Sequence, residues 1–148
     1  MSAQPLIRTL LDEADAIDAL AESVVEQREA IKNADYSEMQ DLMKTVQELF
    51  FHVQTQEAQR EKLTQSLAES LGCKPNLSSI SEALPESEAP IFRGAGDQLK
   101  HSLFALKSEM AILKGLIEQS ESFNAMLLSE WRRIDVDFSR PGGMDFRG

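Results

Sequence analysis

A chain of 148 residues, 42% hydrophobic and 27% charged, holds enough apolar material for one packed domain and too much charge for a membrane-embedded one. Fifteen basic against 25 acidic residues leave a net charge of −10. That excludes a phosphate-backbone binder and an anionic-membrane binder, both of which need facing Lys and Arg.

One cysteine, Cys73, rules out an intramolecular disulfide framework and suits a reducing, cytoplasmic setting. No apolar run approaches the roughly 20 residues of a membrane span. Met1 to Pro5 reads as a short start with no secretory leader.

The first segment, 5–33, spaces Ile7, Leu10, Ala14, Ile17, Ala21, Val24 and Ile31 as a helical seam, with Arg28 at the skipped position. Glu13, Glu22, Glu26 and Glu29 read as its solvated face. Asp35 followed by Glu38 has the form of a capping box that opens a second helix over 36–71. Its seam is read as Met39, Leu42, Val46, Leu49, Val53, Gln56, Arg60, Leu63 and Leu67, with Gly72 as a left-handed stop. Gln56 and Arg60 interrupt this seam as register-setting or solvent-reaching residues. A short link makes the pair an antiparallel hairpin.

Ser79 to Glu82 is a second capping-box pattern and predicts a short helix over 79–84. A third long helix is expected over 90–135. Its seam is Phe92, Ala95, Leu99, Leu103, Leu106, Met110, Leu113, Ile117, Ser120, Asn124, Leu127, Trp131 and Ile134. The residues from 139 to 148 read as a flexible tail. The fold class is therefore all-α: an elongated antiparallel three-helix bundle in one domain over 1–138.

Charge is unevenly placed. Through Asp35 there are three basic and eight acidic residues, a net of −5, whereas Ile91 to Ile134 has six and five, a net of +1. The first and last long helices would attract weakly when laid side by side. Length arithmetic at 1.5 Å per residue gives about 42, 54 and 65 Å for the three long helices. The last would then overhang the first hairpin turn by about two turns, leaving Phe123, Met126, Leu127, Leu128 and Trp131 as an apolar end. Two readings stay open for that end: packing within the chain or a homodimer, and docking of a foreign helix.

No catalytic set emerges. His52 and His101 lie on different helices with acidic residues four positions earlier, not the Glu-x-x-His spacing of a di-iron bundle, so no metal and no cofactor is expected. Arg93-Gly-Ala-Gly96 lacks the Lys-Ser/Thr ending of a phosphate loop. The doublet Phe50–Phe51 must diverge by about 100°, and its bland reading is core packing on two neighbours.

The layout as a whole resembles the FlgN-like family of flagellar type III export chaperones. The resemblance rests on the junction at Asp35, the Leu71-Gly72 stop, the segment Asn124-Ala-Met-Leu127-Leu128 and the tail Asp137-Phe138-Ser-Arg-Pro-Gly142, with Phe138 where the family usually has Tyr. It implies a cytoplasmic chaperone, not an enzyme. Such a protein holds the C-terminal amphipathic helices of hook-associated (hook-filament junction) proteins, prevents their early association and delivers them to the export apparatus. By the Asn-x-x-Leu-Leu match it implies client binding at Asn124, Leu127 and Leu128. The helical wheel and the overhang add Phe123, Met126, Trp131 and Ile134. The alternative is a non-catalytic coiled-coil scaffold that forms a homodimer.

Overall fold

The computed structural model describes residues 2–119 and 125–139, the latter without the side chains of 125–129, 138 and 139. The described chain forms five helices: α1 (Gln4–Lys32), α2 (Tyr36–Leu71), α3 (Leu77–Ala83), α4 (Ala89–Gln119) and α5 (Ala125–Ser139). Pro5 occupies the first turn of α1, where a missing N–H has no partner to lose.

At the α1–α2 junction Ala34 takes a left-handed conformation with φ 53°, and Asp35 N–H donates back to the Ala30 carbonyl at 2.9 Å. The Asp35 side chain then accepts from Glu38 N–H at 3.0 Å, so the expected cap forms. Gly72, at φ 69°, stops α2 in the expected way, with Cys73 N–H donating to the Ala68 carbonyl. The short helix starts two residues earlier than its Ser79 pattern suggested. Asn76 is its cap, accepting from Ser79 N–H at 2.7 Å.

α1 is the axis of the molecule. Its backbone packs closely against both α2 and α4, which come nearer to it than to each other among the described residues. The buried positions of α1 run from Ile7 round to Ala30, an arc of roughly 220° at 100° per residue. All but Ala21, Arg28 and Ile31 of the seam read from sequence is buried there. Leu6, Glu13, Leu20 and Gln27 extend it onto a second face.

The α2 and α4 stripes are narrower. In α4 every expected position from Phe92 to Ile117 is buried. In α2 the buried row is Met39, Met43, Val46, Phe50, Val53, Glu57, Arg60, Thr64 and Leu67. Leu42, Leu49 and Leu63 are only partly buried edge residues packed against the core. The expected seam was thus rotated by one position at every second contact. It followed hydrophobicity, whereas α2 turns Glu57 and Thr64 inward.

Glu13, expected in solvent, is fully buried, and so are Glu57 and Arg60 to within 6%. Arg60 Nε donates to Glu57 Oε2 at 3.1 Å and lies 3.5 Å from Glu13 Oε1; a second guanidinium nitrogen also pairs with Glu57. As carboxylates both Glu13 oxygens lack a donor. Burial pushes the Glu13 carboxyl up to about 10, helped by the hydrogen bond and charge of Glu57 and opposed by Arg60. A proton on Glu13 supplies the donor that Glu57 can accept. The cluster is then neutral: one acid, one carboxylate, one guanidinium. Arg28, at the skipped α1 position, reaches across to Glu109 of α4 at 2.6 Å.

The single helix expected over 90–135 is two helices. Lys114 pairs with Asp135 at 3.5 Å and Arg132 with Glu118 at 3.6 Å, so position falls along α5 as it rises along α4. α5 is antiparallel to α4, and the expected overhang does not form. A periodic seam continues equally well through a reversal, and for that reason apolar spacing alone could not reveal it.

Candidate functional site

α5 is the last described helix and carries the C-terminal part of the apolar cluster singled out in the sequence. Among the described residues its close backbone packing is against α4. Its register is set by polar pairs on its flanks. Beyond the two ion pairs with α4, Glu130 accepts from Gln47 of α2 at 3.4 Å and from Arg133 at 2.6 Å. The Arg133 hydrogen bond and charge, with Gln47 adding a donor, hold the Glu130 carboxyl below its ordinary range. α5 therefore lies on α4 while touching α2.

Trp131 and Ile134, one helical turn apart, point into the core and are 3% and 1% exposed. Trp131 Nε1 is buried and has no hydrogen-bond partner among the described residues. On the outer side Val136 is 61% exposed and Arg132 and Arg133 face solvent.

Of the residues expected to grip a partner, Trp131 and Ile134 are thus covered by the chain itself. Met126, Leu127 and Leu128 lie on the α5 backbone, with side chains outside the described set. Phe123 and Asn124 lie outside the described residues, as does the tail from 140. The expectation that Trp131 projects past its neighbours is corrected: it assumed a continuous rod, and the reversal before α5 folds that face back onto the bundle.

The residues that fix α5 were not singled out from sequence. Glu118, Glu130, Arg132 and Asp135 are ordinary surface charges on a wheel. Only the antiparallel placement pairs Arg132 with Glu118 and Asp135 with Lys114 across α4 and α5, and brings Glu130 to Gln47 of α2. The aromatic doublet splits, with Phe50 in the core and Phe51 70% exposed. His52 and His101 are both exposed. No helix among the described residues is long and apolar enough to cross a membrane.

Compared with curated proteins and with solved structures, the chain finds no match. A family model described as FlgN protein matches residues 1–140. The match spans all five helices, from the α1 axis through the α5 fold-back. On it the chain belongs to the FlgN family of flagellar export chaperones.

Proposed function

We propose that this chain is a cytoplasmic chaperone for hook-associated proteins, binding their C-terminal amphipathic helices through the segment 123–134 and delivering them to the export apparatus. The observation that carries the reading is the family match over residues 1–140, which includes that segment. The structure lends support of a different kind. α5 is a short amphipathic helix with two buried anchors, Trp131 and Ile134, and its polar contacts are exposed or half-exposed pairs.

Because those anchors are covered, client binding is coupled to release of α5 from α4. Burial of one large apolar side chain stabilises by about 1.5–3 kcal/mol, so releasing the two described anchors costs several kcal/mol. A client helix repays that by offering its own apolar face to the same surfaces. The closed population lowers the apparent affinity in proportion.

Titration of the full chain with a peptide from the C-terminus of a hook-associated protein tests this. Trp131 is the sole tryptophan, and its emission should shift as the peptide binds. In a Cys73→Ser background, Lys114→Cys with Asp135→Cys joined by a short bismaleimide should hold α5 closed and weaken binding at least tenfold. Undiminished binding by the locked protein would remove the release step. No binding of any such peptide by the unlocked chain would remove the client reading itself.

A further inference from the structure

One edge of α4 bears a cation every seventh residue: Arg93, Lys100, Lys107 and Lys114. Seven residues are two turns, so the four stand in one row about 10.5 Å apart. The two ends of the row already hold helices. Arg93 Nη1 donates to Ser81 Oγ of α3 at 3.1 Å, and Gly96 lies close beneath Leu77 of α3. Lys114 pairs with Asp135 of α5.

The middle of the row is bare. Lys100 and Lys107 are exposed and, among the described residues, neither has an ion-pair partner. Phe104 stands between them, four residues after one and three before the other, and is 72% exposed. Ala111, a heptad beyond Phe104, is also exposed. From Gly96 to Lys114 is 18 residues, about 27 Å of helix. The turn of α5 beyond Asp135 covers about 6 Å of it, and the described residues leave roughly four turns open.

We propose that this strip of α4 docks an acidic amphipathic helix of a partner protein, with an apolar side chain on Phe104 and carboxylates seven residues apart on Lys100 and Lys107. Charge complementarity selects this occupant, because the strip is a local cationic edge on a chain of net charge −10. At physiological salt that overall charge is screened beyond about 8 Å, so the local row sets the preference. At the α3 end Arg93 and Lys100 line a cleft together with Asp97 and Glu82, so the cationic character of the strip is greatest from Lys100 toward Lys107. The strip lies on α4 rather than α5, and the inference stands apart from the hook-associated reading.

Two labelled 18-residue helical peptides with identical leucine faces, one flanked by Glu and one by Lys, provide the test by fluorescence anisotropy on the full chain. The Glu peptide should bind at least tenfold tighter at low salt, with the preference shrinking at 0.3 M. Lys100→Glu with Lys107→Glu should invert the preference, and Phe104→Ala should weaken both peptides severalfold; circular dichroism checks that helix content is unchanged. Equal binding of the two peptides, or a preference that survives the double reversal, overturns the proposal. So does Lys100- and Lys107-dependent binding of phosphatidylserine vesicles without peptide binding, or a dimer in sedimentation that Phe104→Ala dissociates.

Discussion

Glu13 sits inside the bundle with the proton that keeps its site neutral. In the unfolded chain it ionises near its ordinary 4.5; in the folded protein it does so near 10. Its folded value is raised, so its contribution to stability is complete below about 4.5 and is lost as pH climbs through 10. Within that window unfolding releases a proton, a slope of about 1.4 kcal/mol per pH unit. Glu13→Gln keeps the shape and a donor toward Glu57 but cannot ionise. Its thermal midpoint should exceed that of the unsubstituted chain by a margin that grows from pH 6 to pH 9. Parallel curves across that range would refute a protonated Glu13. A second residue-scale prediction concerns Ala34, whose φ of 53° places a Cβ in the left-handed region. Ala34→Gly should stabilise by about 0.5–1 kcal/mol, read as a rise of a few degrees in thermal midpoint. None of this was legible in the sequence. Glu13 lies between two faces of α1, and only a helix with neighbours on both sides turns such a residue inward.

At the scale of the element, the described contacts that hold α5 are Trp131, Ile134 and a few exposed polar pairs, whereas α1, α2 and α4 share continuous buried rows. Ile134→Ala removes one of the two described anchors. Amide exchange along α5 should then accelerate at least tenfold and Trp131 emission should move to the red, with α1 and α4 amides unaffected. If α5 exchange does not change, its docking rests on residues other than these. The first two long helices, the cap at Asp35 and the stop at Gly72 are readable, because each depends on local chemistry at fixed spacing. The α2 row is read half a face off, since Leu42 and Leu63 outscore Met43 and Thr64 in apolarity and Leu49 continues their spacing as well as Phe50 does. What decides their burial is how Glu57 and Arg60 reach Glu13. The α4–α5 reversal was invisible for the same reason: it is written in cross-helix pairs, not in periodicity.

For the molecule as a whole, the all-α bundle and the antiparallel α1–α2 hairpin follow from the sequence, and α1 is the helix that the other long ones share. α2 and α4 each lean on it more closely than on each other among the described residues. Synthesis is vectorial, and this arrangement gives the order of emergence a consequence. By the time Gly72 has left the ribosome, α1 has its first neighbour, yet the strip bearing Ala14 and Arg28 waits for α4, whose far end is Gln119. For those intervening residues the nascent chain displays half of its future interior to the cell. A fragment ending at Gly72 should accordingly self-associate, and adding a separately made 73–148 fragment should return it to a defined heterodimeric species in sedimentation. The protein that guards others during export would itself need shelter for the length of its own α4.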